Sequence, residues 1–219
     1  MAIHWLFALA LPLAVQAAPV TAPKPAPTPA AESPPLPRVE VTTTAGRFVL
    51  VLETKRAPIT AANFLRYVDG RRLDGVTFYR IAKAGPRYGF VQFGPDGNPK
   101  RILPPIKHEP TTQTGVKHLD GTISIARLAP GTARSEFTIS LGDQPGLDAD
   151  PTKPGDNLGY AAFGHVVEGM DVVATILDTP VDPQATVRGA FKGEVPAKPV
   201  RVLTVRRVAS SGGATISGQ

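Results

Sequence analysis

The apolar residues of this chain come in short runs punctuated by glycine and proline, and that spacing leaves few folds open. Val39–Thr43, Arg47–Leu52, Thr77–Ile81, Phe90–Phe93, Thr122–Ala126, Glu136–Ser140, Ala161–Val167 and Val200–Val208 either alternate or are rich in Val, Ile, Thr and Phe, as strands are. Ala45-Gly46 is the expected turn of a first hairpin. Helical spacing occurs twice. Ala61, Phe64, Leu65 and Val68 form one stripe after a cap-type residue, Thr60, and end at Asp69-Gly70. Met170–Leu177 forms the second helix, with Val173, Ile176 and Leu177 inward. Two helices so far apart cannot build a doubly wound sheet. The expectation is a mainly β fold, a closed eight-stranded antiparallel β-barrel capped by two α-helices. Its interior is then filled by side chains, so a site lies on the outer wall.

The ends of the chain read differently. Trp5–Val15 is apolar and is followed by Val15-Gln16-Ala17-Ala18-Pro19, the pattern of an export signal over residues 1–18, with cleavage after Ala17 or Ala18. Its N-terminal stretch carries only His4 and the terminal amine, and a retained anchor is the alternative. Residues 19–37 hold eight prolines, so they form an extended linker rather than a core. This linker is a spacer, or a segment able to occupy the protein's own groove. Residues 38–208 are the folded domain and 209–219 a Ser/Gly-rich tail. The expected location is the periplasm, or the medium if there is no outer membrane. There is no cysteine, so disulfides and thiol chemistry are excluded and packing alone must hold the fold. The net charge of +6 is spread without a dense run or interleaved aromatics, which argues against nucleic-acid binding. No tandem repeat is present.

Familiar catalytic constellations are missing. His108, Glu109, His118 and Asp120 are close in sequence but lack metal-ligand spacing, so no metal and no cofactor are expected and they read as solvated loop residues. There is no Gly-x-Ser-x-Gly, and Ser135 has no motif-placed base. Gly142, Gly146 and Gly155 lie among prolines and aspartates, as in turns. What remains is a distributed set. Phe78-Tyr79-Arg80-Ile81 places an arginine inside an apolar strand, and alternation puts Phe78 and Arg80 on one face unless a bulge intervenes. Burying that charge is costly. Arg80 therefore sits at an open groove, in a pair, or on an edge strand. Phe90 and Gln92 share a face, and Glu136 and Thr138 point outward while Phe137 and Ile139 point inward.

Five segments in this order resemble the cyclophilin family of peptidyl-prolyl cis–trans isomerases. They are Ala57-Pro58-x-Thr60-x-x-Asn63-Phe64, Gly75–Arg80, Gly121–Arg127, Ser135–Ile139 and Ala162–Met170. The resemblance implies the eight-stranded barrel and gives Arg80 the place of the catalytic arginine. It puts Gln92 at a pocket glutamine, Phe90 at a pocket methionine, and Ala126 and Arg127 where relatives hold the substrate backbone. Glu136 replaces a glutamine and Thr138 a pocket phenylalanine. Leu147 matches the pocket leucine, and Tyr160 a position that is His or Tyr. Gly146 falls where many relatives carry Trp or Phe, which implies a shallower pocket and weak inhibition by cyclosporin. Arg127 and Glu136 would line the groove and bias it toward charged peptides. The implied activity is isomerisation of X–Pro bonds by a monomer acting on proline-containing segments of unfolded or exported proteins. The rival is a catalytically weak peptide-binding module or holdase on the same fold.

Overall fold

The computed structural model describes residues 35–95 and 98–209. The expected export signal, nearly all of the linker and the end of the tail lie outside the described residues. The linker's last residue is already attached to the sheet, because the Pro37 carbonyl accepts from the Leu52 N–H at 3.0 Å.

In chain order the elements are β1 (Arg38–Thr43), β2 (Gly46–Leu52), α1 (Pro58–Asp69), β3 (Thr77–Gly85), β4 (Tyr88–Gly94), the one-turn α2 (Thr111–Thr114), β5 (Thr122–Ile125), β6 (Phe137–Leu141), β7 (Ala161–Glu168), α3 (Met170–Leu177), β8 (Val181–Asp182), β9 (Val195–Pro196) and β10 (Val202–Val208). Single 3-10 turns occupy Pro99–Arg101 and Pro145–Leu147. Eight strands form one antiparallel sheet in the order β10-β1-β2-β7-β5-β6-β4-β3, while β8 and β9 pair with each other. The sheet curls into a barrel whose closure is incomplete. Its edge strands share one bridge, Thr77 to Arg201, and bonds such as Gly75 N–H to Val202 O and Phe78 N–H to Val200 O. A fully closed barrel was expected; Pro196 and Pro199, with no N–H to give, stand just before β10 and stop the ladder there.

The interior is packed with aromatic rings. Phe64 on α1 meets Phe137 edge-on at 4.9 Å and Phe163 at 5.5 Å, and Phe93 bridges Phe78 and Phe137 at 4.9 and 5.8 Å. All five are fully buried, Phe64 on the apolar stripe of its helix and the other four on the inner faces of their strands. Val173, Ile176 and Leu177 of α3 are buried as expected.

Two local expectations fail for identifiable reasons. The first hairpin turns at Thr44-Ala45, since Thr43 pairs with Gly46; the Thr43 hydroxyl accepts from Ala45 N–H and donates to Gly46 O, and this fixes the register. Helix α1 starts at Pro58, not Thr60. Its open N–H groups are capped from outside by Glu109, whose carboxylate accepts from Ile59 N–H at 3.1 Å, Thr60 N–H at 2.7 Å and the Thr60 hydroxyl at 2.7 Å. A cap supplied 50 residues away leaves no local signature.

Candidate functional site

A bulge in β3 creates the site. Phe78 pairs with Phe93 and Arg80 with Gln92, so Tyr79 is an extra residue on β3. Simple alternation would have put Phe78 and Arg80 on one face. The bulge instead keeps Phe78 in the core and turns Arg80 outward beside Gln92. The pairing continues across the wall: Gln92 faces Thr138 on β6, and Thr138 faces Ser124 on β5. One rung therefore carries Arg80, Gln92, Thr138 and Ser124 over roughly 14 Å, three strand spacings. Ser124 was missed because a serine in an apolar strand gives no sign of which residue it opposes; its hydroxyl and that of Thr138 are 2.8 Å apart.

The guanidinium of Arg80 is held on several sides. Nη1 donates to Gln92 Oε1 at 3.2 Å, and Nε donates to Glu194 Oε2 at 2.6 Å. The Phe90 ring centroid lies 5.0 Å from Cζ and that of Phe191 3.5 Å from it. Nη2 donates to no hydrogen bond among the described residues. The pair with Glu194 is not sealed: the Arg80 side chain is 15% exposed and that of Glu194 31%. Of the three placements the sequence left open for Arg80, the structure combines an edge strand and a pair, since β3 ends the sheet order and Glu194 holds the guanidinium. Glu136 is joined to the same network, receiving Gln92 Nε2 at 3.3 Å and Arg188 Nη2 at 2.7 Å. Glu194, Phe191 and Arg188 were not foreseen. The only trace is a lone phenylalanine in the glycine-flanked stretch Gly189-Ala190-Phe191-Lys192-Gly193.

The remaining residues gather at the end of β5, β6 and β7. Ala126 N–H donates to Glu136 O at 2.8 Å, and Tyr160 N–H to Leu147 O at 2.9 Å, so backbone bonds join these positions in pairs. Leu147 is half-buried and Tyr160 exposed. Arg127 departs from its expected part. Its guanidinium makes a two-point pair with Asp156 at 2.7 Å on each arm, and Nε donates to Gly159 O at 2.8 Å. That leaves its side chain 6% exposed. It ties down the loop before Tyr160 and offers the groove no free charge; in return it holds the Asp156 carboxyl well below the usual range, at about 2. Glu136 is likewise already paired, so neither residue presents an unmatched charge to a peptide.

The supposed loop residues are also structural. His108, Glu109 and His118 are buried, not solvated. His108 Nε2 lies 3.0 Å from Leu158 O, and His118 Nδ1 lies 2.7 Å from Asp148 Oδ1. Burial pushes the His118 imidazole below its ordinary value, against the pull of Asp148. It is neutral at pH 7, with Nδ1–H donating, and the contact is a hydrogen bond rather than an ion pair. Both histidines brace residues 148–160, the stretch between Leu147 and Tyr160.

The wall beside the rung is shallow. A built Cβ at Gly146 meets nothing within 4 Å, and Thr138 supplies no ring. A surface cavity of about 480 Å³ lies to one side, lined by Ile81, Lys83, Tyr88 and Leu177 together with Phe90 and Glu194, which it shares with the site.

Residues 38–207 match the family described as cyclophilin type peptidyl-prolyl cis-trans isomerase/CLD. The chain is 36% identical over 171 residues to the peptidyl-prolyl cis-trans isomerase cyp18 of Streptomyces antibioticus, covering 77% of this chain and 96% of that protein. It is 33% identical over 173 residues to peptidyl-prolyl cis-trans isomerase A of Dickeya dadantii, covering 77% and 83%. Its fold resembles a solved cyclophilin type isomerase of Cryptosporidium parvum, with a TM-score of 0.63 at 20% identity over 80% of this chain and 99% of the other. A second structure of that parasite protein was obtained in the presence of the dipeptide Ala-Pro, with a TM-score of 0.63 and 20% identity over 79% and 99%.

Proposed function

The chain belongs to the cyclophilin-type peptidyl-prolyl cis–trans isomerases, and on that premise we propose that Arg80 is the group that lowers its rotation barrier. An amide C–N bond resists rotation by about 18–20 kcal/mol because resonance gives it double-bond character. The X–Pro isomers differ by only about 0.5–1 kcal/mol, so both are populated and exchange is slow. No bond is made or broken. The catalyst has only to favour the twisted amide, whose prolyl nitrogen has lost its resonance and become a better acceptor. A guanidinium that never deprotonates is a fixed donor for that state, and it binds the planar ground state less well. The observation that carries this reading is the bulge-directed Arg80, with Gln92 fixing Nη1 and Nη2 left for a ligand.

Leu147, Tyr160 and Phe90 provide the apolar surface against which the proline ring rests, and Gln92 positions the backbone. The dipeptide Ala-Pro used with the Cryptosporidium parvum protein is the smallest ligand of this chemistry. Residues 1–18 act as an export signal, and the substrates are proline-containing segments of proteins in the same exported space.

The test is the rate of X–Pro isomerisation in a short peptide, with Arg80→Ala as the comparison. Removing one preorganised charged donor lowers kcat/KM by about 100- to 1000-fold. Equal rates in wild type and variant would remove Arg80 from the chemistry.

A further inference from the structure

Residues 183–194 link β8 to β9, the strand pair outside the main sheet, and fold back over Arg80. The segment is tied to the wall where Ile81 N–H donates to Glu194 O at 2.7 Å. It is shaped internally by paired bonds between Val187 and Ala190 and by Gly193 N–H donating to Ala185 O at 3.1 Å. Two of its side chains reach the guanidinium, Glu194 through Nε and Phe191 across the plane at 3.5 Å. A third, Arg188, reaches Glu136. Polar contacts thus run from Glu194 through Arg80, Gln92 and Glu136 to Arg188, and both ends of that chain sit on the same segment.

Part of this shape is local, since Arg188 and Gly189, with φ of 51° and 81°, make the two-residue turn between the bridged Val187 and Ala190. Phe191 lies outside that turn and has φ of 53°, in the left-handed region that side chains other than glycine rarely occupy. Such residues persist only where their surroundings over-determine them. Phe191 also leaves 48% of its surface exposed, so core packing does not explain its place. What its ring does touch is the Arg80 guanidinium.

We propose that Phe191 and Glu194 are positioning residues that hold the Arg80 guanidinium in one orientation, leaving Nη2 for the substrate amide. Arginine has a long flexible stem, and fixing it beforehand removes an entropy loss from the catalysed step. The Arg188–Glu136 contact keeps the segment seated. This inference rests on the reading of Arg80 given above.

The experiment measures kcat and KM for an X–Pro peptide with the full chain carrying Phe191→Ala, Phe191→Leu, Phe191→Tyr or Glu194→Gln. Each is made with Arg80 present and again in an Arg80→Ala background, with thermal unfolding as a fold check. Phe191→Ala and Glu194→Gln are expected to lower kcat about five- to twenty-fold with KM within about twofold. Phe191→Tyr restores kcat and Phe191→Leu does not, because the aromatic face and not the bulk is needed. In the Arg80→Ala background none of them costs anything further. An unchanged kcat, a rise in kcat/KM as from a segment that merely obstructs, or an equal loss without Arg80 would each overturn the proposal. If Arg80→Ala itself matches wild type, the catalytic reading falls and takes this one with it. If Arg80→Ala is slow while Phe191 and Glu194 variants keep kcat, only the positioning role falls.

Discussion

Gly146 offers the sharpest test of where the substrate groove runs. It sits exposed in the turn Pro145–Leu147, its φ lies outside the left-handed region, and a Cβ there meets no neighbour within 4 Å. A side chain at this position therefore starts without backbone strain and with its Cβ unobstructed. An aromatic side chain buries about 150–250 Å² when enclosed, and an indole at the groove's rim turns about half of that, ~100 Å², toward a bound ligand. At about 25 cal/mol per Å² this gives ~2.5 kcal/mol. Ordering the indole costs about 1 kcal/mol, which leaves ~1.5 kcal/mol, or about tenfold in affinity. The assay is cyclosporin inhibition of X–Pro isomerisation in wild type and variant, with thermal unfolding followed in both. Wild type is expected to be inhibited weakly and Gly146→Trp about tenfold more tightly. A variant that melts like wild type and is inhibited no better would show that Gly146 does not border the groove, and the assignment of Leu147 beside it would fall as well.

Two further outcomes concern the scaffold. His118 has a folded-state value below its ordinary 6.5, so the unfolded chain binds its proton first. The stability it contributes is complete above pH 6.5 and is lost as pH falls below that value; the urea midpoint should decline from pH 7 to pH 5.5, and His118→Gln should flatten the decline. Glu109→Ala strands the Ile59 and Thr60 donors at the start of α1 and should cost about 3 kcal/mol in urea unfolding, while Glu109→Gln, which keeps an acceptor, should cost less; equal losses would mean that bulk rather than capping matters at this position.

Much of the fold was legible because its signals are local. Phe64 and Leu65 on one helical stripe, and Phe137 and Ile139 on one side of a strand, declare their burial through spacing alone. The candidate site was legible only in part. Arg80 stands out as a charge in an apolar strand, but Arg127 shows the limit of the same reasoning. The family resemblance made it a groove residue, and only the loop that folds over it reveals Asp156 and Gly159 as its partners. His108 and His118 were misjudged for the same reason, since polar residues in an irregular segment look solvated until packing buries them.

The sequence by itself determined the eight strands of the main sheet and the two longer helices, because periods of two and of 3.6 residues encode which face meets the core. Only the tertiary structure decided which way Arg80 points and what holds it. A single bulge at Tyr79 reverses the face, and the Glu194 partner lies 114 residues away along the chain. Strand register and long-range contact are set by the whole barrel closing at once, and no local pattern carries that information.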